Sequence, residues 1–255
     1  MSEKIQCNDG VNQNLINKIL NQMRYHPENK DYNDIPRRVL LITGQYLPKD
    51  TTEIALKCKT LAEGLVDKGI ETHVVTFDPW KVGHNTEMGG VKLHYIGNNI
   101  KAYSPLTWAL TLNMEIGMAV SNILHERGQI DLIHAHQWEM FPSGITLQAA
   151  LDKPFIVNYY STEHHRSPET SNPYVDAIKQ IEWKGAYNSD RIQVGDEWLK
   201  NEVIRYYSPE PKKVNVVDSS KSRWTKNVVR DYNWVLKNFD LNREMQFNGG
   251  KDEDE

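Results

Sequence analysis

From Arg38 onward the chain alternates short apolar runs with longer segments whose apolar residues recur at helical spacing. The first run, RVLLIT at 38–43, is continuous, the pattern of a strand buried on both faces. After the loop GQYLPKDTTE, the residues Ile54, Cys58, Leu61, Ala62 and Leu65 form one apolar stripe, and Gly69 sits where a left-handed residue closes a helix. ETHVVTF then predicts a second strand and VKLHYIG a third. There follow a helix over about 106–126, the strand DLIHAH, a helix over about 141–151 and the strand PFIVNYY. A helix over about 174–188, the strand DRIQVG, a helix from the N-cap Asp196 to 207 and the strand KVNVV complete the series. Such alternation specifies right-handed βαβ crossovers, and with them an α/β fold built on one Rossmann-like, doubly wound parallel sheet.

The same pattern divides the chain into four segments. Residues 1–37 read as an N-terminal extension in which Leu15, Ile16, Ile19, Leu20 and Met23 have helical spacing. Residues 38–217 form the sheet domain, and 218–242 a helical segment centred on a helix over 226–239. Residues 243–255 are expected to be a disordered acidic tail, since they hold few core residues and end in a charge run.

Composition narrows the partners. With 255 residues, 39% of them hydrophobic, the chain can bury a core as one large domain or two small ones. A formal charge of -4 supplies no broad basic field, so neither nucleic acid nor an anionic membrane is expected as a partner. No run approaches the roughly 18 apolar residues of a membrane span, and the start MSEKIQCNDGVNQN has no apolar signal region. Cys7 and Cys58 lie far apart without metal-ligand spacing, which points to reduced thiols and a cytoplasmic location.

Ligands of an open parallel sheet bind beyond the C-terminal strand ends. The first strand-to-helix turn lacks both GxGxxG and GxxxxGK[ST]. Lys49, Thr51 and Thr52 remain there as candidate donors to a phosphate, against their plainer reading as loop and cap residues. His134 and His136 share one face of their strand, and the expectation is one structural histidine and one in the crevice. His136, Gln137, Trp138, Tyr160, Ser161, Thr162, Glu163 and Arg166 make up the predicted binding group, able to hydrogen-bond a hydroxylated ligand. Trp138, Phe141, Tyr159 and Tyr160 offer faces on which a sugar or nucleoside could stack. No metal is expected, because His164 and His165 are the only clustered additions to that histidine pair. No Ser/His/Asp or Cys/His order marks a nucleophile, so no catalytic residue is assigned. On the helix over 174–188, Trp183 is expected to face the core at least in part, and Glu182 the solvent.

The pieces RVLLITGQYLP, LAEGLVDKGIETHVVTF, DLIHAHQWEMFPSGITLQAALDKPFIV, STEHHRS and IEWKGAYNSDRIQVGDEWLKNEVIRYY, followed by PKKVNVV, recur in a known order and spacing. Over about 38–217 they resemble the N-terminal domain of retaining GT-B glycosyltransferases of family four, the glycogen and starch synthase type. The resemblance implies a hexosyltransferase half that binds a sugar or glycan acceptor and needs no cofactor beyond a nucleotide-sugar donor held by a second domain. Four features depart from the family pattern. The loop reads PKDTTE where the family keeps a glycine pair, Gln137 stands for an acidic residue, Tyr160 for a histidine, and DSSKSRW for a PNG(I/V)D turn. Glutamine cannot ionise and tyrosine is neutral near pH 7, which leaves Lys49 and Arg166 as the local cations for a leaving pyrophosphate.

Two readings stand at this point. One is an acceptor-side domain, incomplete or inactive as a lone chain, that works with a donor-domain partner subunit or within a homo-oligomer. The other is a non-catalytic interaction or regulatory protein with a degenerate glycosyltransferase fold. A single-domain transferase relying on Lys49 and Arg166 is less expected, because it would leave the donor open to water.

Overall fold

A computed structural model describes residues 35–98 and 100–249. The apolar stripe at 15–23, Cys7 and the tail from 250 lie outside these residues, so the expectations placed on them are not addressed by it.

Eight strands form one sheet: β1 (Arg38–Thr43), β2 (Glu71–Phe77), β3 (Asn85–Met88), β4 (Val91–Ile96), β5 (Leu132–His136), β6 (Phe155–Asn158), β7 (Arg191–Val194) and β8 (Val214–Val216). Their order is β3-β4-β2-β1-β5-β6-β7-β8, parallel throughout except for β3, which pairs antiparallel with β4. The chain winds outward from β1 to β4 and then starts again at β5 on the other flank of β1. The switch point therefore lies between β1 and β5, where Thr43 is level with His136. The helices are α1 (Glu53–Val66), α2 (Pro105–Arg127), α3 (Phe141–Leu151), α4 (Glu163–Arg166), α5 (Pro173–Asn188), α6 (Glu197–Tyr207) and α7 (Trp224–Gly249).

Both faces of the sheet are covered, which explains the unbroken apolar runs of β1 and β5. Leu40, Ile42, Ile133 and Ala135 pack in one core with α2, α3, α5 and α6, while Val39, Leu41 and Leu132 pack in the other with α1 and α7. Local signals set the helix ends. Thr52, Asn172 and Asp196 accept backbone N–H bonds at the starts of α1, α5 and α6, and Gly69 takes φ +77° after α1. Gly185 permits a close helix crossing, since a Cβ there would lie 2.4 Å from the Phe141 ring.

Several expectations need correction. β3 had no sequence signal: all four residues of NTEM are exposed, so no apolar alternation marks them. α7 runs to Gly249, so 243–249, expected to be disordered, are helical. Val228, Val229, Tyr232 and Val235 of this helix are buried against the sheet. Its Asp231 is buried too and accepts from Arg191 Nε (2.9 Å), Gln193 Nε2 (2.8 Å) and Asn215 Nδ2 (2.9 Å), tying α7 to β7 and β8. On α5 the two assignments are reversed: Trp183 is 40% exposed and stacks on Tyr187, whereas Glu182 is 1% exposed. Cys58 is a buried free thiol that burial pushes up to about 11, which keeps it protonated. Among the described residues no helix is long and apolar enough to cross a membrane.

Candidate functional site

The site is built by the turn that leaves β5. Gln137 has φ 73° and ψ 158°, a region open in practice only to glycine. Two bonds hold it there: its N–H donates to the Asn158 carbonyl at 3.1 Å, and its carbonyl accepts from the Met140 N–H at 3.1 Å. The chain then makes one 3₁₀ turn, Trp138–Met140, and enters α3. This bend places Gln137, Trp138 and Glu139 on one wall of a cleft of about 410 Å³. Tyr160, Ser161, Glu163 and Arg166, from the end of β6 and from α4, form the facing wall. Replacing Gln137 by glycine is expected to relieve about 1 kcal/mol of backbone strain and raise Tm by about 2–4 °C, as read by calorimetry. An unchanged or lower Tm would show that the side chain itself holds the turn.

One cation, Arg166, stands among the described residues that line the cleft, and each of its three nitrogens has a partner. Its Nε donates to Glu163 Oε2 (2.9 Å), Nη1 to Ser161 Oγ (2.7 Å) and Nη2 to Glu182 Oε1 (2.8 Å). Glu182, which sequence reasoning assigned to solvent, is the hub: its carboxylate also accepts from the Glu163 N–H (2.7 Å) and from the Tyr207 hydroxyl. Burial pushes the Glu182 carboxyl above the usual range, and Arg166 opposes that shift. Glu139 is likewise pushed upward by burial, while Arg166 again opposes and the neighbouring Glu182 and Glu163 add to the rise. Its Oε2 is buried and has no hydrogen-bond partner among the described residues.

Six of the eight predicted binding residues thus meet in one cleft, and two do not. His136 is 2% exposed and turns inward toward α1 and α7, with Nδ1 2.9 Å from the Tyr160 hydroxyl. His134 is buried beside it, 2.9 Å from the Tyr232 hydroxyl. The expected crevice histidine is therefore absent from the cleft: both rings are interior, and burial pushes His136 down to about 3. Thr162 is also buried, and caps α4 by accepting from the His165 N–H at 3.2 Å. Tyr160 is half-buried with its hydroxyl inward, between His136 and Cys58 Sγ at 3.9 Å, and burial raises it well above the usual tyrosine range. Behind it lies a pocket of about 30 Å³, room for about one water molecule.

None of Lys49, Thr51 and Thr52 lines the cleft. Lys49 is 3.4 Å from Asp50 and lies over the Phe77 ring, Thr52 caps α1, and Thr51 is exposed. Of the aromatic candidates, Phe141 is a core residue, Tyr159 is buried but lines the cleft, and Trp138 and Tyr160 also reach its wall. Glu139 and Glu182 were missed. Glu182 had a signal, since it lies one turn before Ala186 on the buried stripe of α5. Glu139 had none, because its direction depends on the unusual backbone of Gln137. Among the described residues no three His, Cys, Asp or Glu side chains are grouped to hold a metal ion.

The pattern of Glycosyltransferase Family 4 matches residues 58–219, which include both walls of the cleft. An uncharacterized glycosyltransferase of Methanocaldococcus jannaschii is 26% identical over 189 residues, covering 73% of this chain and 47% of that protein. The chain thus spans about half the length of this curated relative. Sucrose-phosphate synthase from Thermosynechococcus elongatus superposes with a TM-score of 0.59 at 15% identity, over 71% of this chain and 47% of that one. A second chain of the same synthase gives 0.55 at 15% identity, over 82% of this chain and 98% of the other. Likeness at such low identity concerns the fold, and it identifies the sheet with its two helical layers as a GT-B Rossmann-like domain. With the family pattern running through more than half of its length, the chain belongs to Glycosyltransferase Family 4.

Proposed function

We propose that the cleft beyond β5 and β6 binds a sugar or glycan acceptor, and that the chain serves as the acceptor-side part of a hexosyltransferase. In this reading the donor-binding groups come from another domain or a partner subunit, and the protein acts in the cytoplasm. The observation that carries it is the cleft itself: an amide, hydroxyls, carboxyls and two aromatic walls converge at the carboxyl end of the sheet, a set suited to hydroxyl groups. Donor binding elsewhere follows from charge. A leaving pyrophosphate needs free cationic donors, whereas Arg166 is committed to two carboxylates and Lys49 lies outside the cleft beside Asp50.

The test is calorimetry and thermal shift with maltose-type oligosaccharides and with nucleotide-sugars, on the wild type and on Tyr160→Ala. An oligosaccharide at a hundred times its Kd is expected to add about 2.7 kcal/mol of stability to the wild type and much less to the variant. Nucleotide-sugars alone are expected to add little. If no oligosaccharide stabilises the chain, the acceptor reading is lost. The non-catalytic reading would then take its place, favoured by the sequestered Arg166 and the non-ionisable Gln137.

A further inference from the structure

We propose that the cleft selects an uncharged or amine-bearing sugar and rejects sugars carrying phosphate or carboxylate, with the negative charge of Glu139 contributing to that choice. This inference rests on the acceptor-side reading and names its substrate class. Three carboxyl groups, those of Glu139, Glu163 and Glu182, surround a single guanidinium, that of Arg166. The three nitrogens of Arg166 are taken by Glu163, Ser161 and Glu182, so its charge is already more than balanced. A phosphate entering the cleft would find, among the described residues that line it, no cation free of carboxylate partners, and it would face carboxylates in a partly desolvated space where like charges repel strongly. Lys57, the nearest basic residue on the other side of Tyr160, borders the small rear pocket instead.

The acceptor atoms divide unequally. Glu163 receives Ser167 Oγ on Oε1 (2.8 Å) and Arg166 on Oε2. Glu182 receives Arg166 on Oε1, and the Glu163 N–H and the Tyr207 hydroxyl on Oε2. Glu139 alone of the three keeps a buried oxygen with no partner among the described residues. That oxygen has almost no accessible surface, so Glu139 acts on a ligand in the cleft through its charge and not through a bond at Oε2. The remaining polar lining, the Gln137 amide with the Ser161 and Ser167 hydroxyls, is neutral and suits further hydroxyls.

The experiment is calorimetry of the full chain with maltotriose, glucosamine and glucose 6-phosphate at low ionic strength, beside Glu139→Gln. The wild type is expected to bind maltotriose or glucosamine at least about tenfold more tightly than glucose 6-phosphate, and the variant to shrink that ratio to about threefold or less. Thermal unfolding of both proteins is read in parallel. Because no protein donor loses its partner at Oε2, the variant should melt no lower than the wild type, so a change in ratio reports selectivity and not misfolding. Glucose 6-phosphate binding as tightly as the other two, or a ratio unmoved in Glu139→Gln, would overturn the selectivity and leave the acceptor reading standing. Failure of all three sugars, together with every oligosaccharide of the earlier panel, would sink both.

Discussion

Acidification from pH 6.5 to pH 5 is expected to remove about 3 kcal/mol of stability through two buried histidines. Burial pushes His94 down to about 4 and His136 down to about 3. In the unfolded chain both titrate near 6.5, so below that value the unfolded state binds protons that the folded state refuses. Stability from a depressed histidine is therefore intact above 6.5 and declines as pH falls toward the folded value, by about 1.4 kcal/mol per pH unit for each ring. His73 and His134 are also lowered by burial and act in the same direction. Glu139 and Glu182 act in the opposite one, because a raised carboxyl favours the folded state as protons are added. Urea midpoints between pH 7 and pH 5 measure the balance, and a His136→Asn variant should give a shallower slope. A midpoint indifferent to pH would refute the claim that these rings stay neutral inside the fold.

Glu182→Ala should be the most damaging single change near the cleft, costing about 3–5 kcal/mol. The substitution strips Arg166 of one of its two carboxylates and leaves the Tyr207 hydroxyl and the Glu163 N–H without their acceptor. At about 2–4 °C per kcal/mol, Tm should fall by about 6–20 °C. The carboxyl carries a burial penalty of its own, so Glu182→Gln, which keeps an acceptor, should fall by less than half as much. Equal losses for the two variants would show that packing, and not the bond network, accounts for the effect. The freed Arg166 offers a second readout: a phosphate-bearing ligand should bind Glu182→Ala better than the wild type, provided the variant is folded.

The legible parts of this chain are those dictated by burial period. β1 and β5 read as continuous apolar runs because both sheet faces are covered, and Thr52, Asn172 and Asp196 mark their helices because each side chain accepts a backbone bond. β3 failed on the same criterion, since an exposed edge strand has no face to bury. Within the site, Gln137, Tyr160 and Arg166 were found from their place at strand ends, but their environments were not. The pairing of Arg166 with Glu182 spans 16 residues and needs α4 and α5 to be docked before it can be seen. His136 was expected in the crevice because strand alternation gives a face and not a depth. Tyr160 and α1 close that face over it, and no local pattern records such a lid.

α7 bears on how the chain is made. Its Tyr232 meets His134, 98 positions earlier, and its valines complete the core that holds Val39, Leu41, Leu132 and Ile156. During synthesis, β1, β5 and β6 emerge long before the helix that covers one of their faces. Until residue 235 or so has been added, that apolar surface is open and the inner wall behind the cleft is unset. Sheet pairing can therefore run ahead of site formation, and contacts across so long a stretch of chain form late. A ribosome-bound chain ending at 217 should bind hydrophobic dye and be captured by chaperones, and both signals should subside as α7 is released. Docking of α7 is thus the step at which the second face of the sheet is sealed.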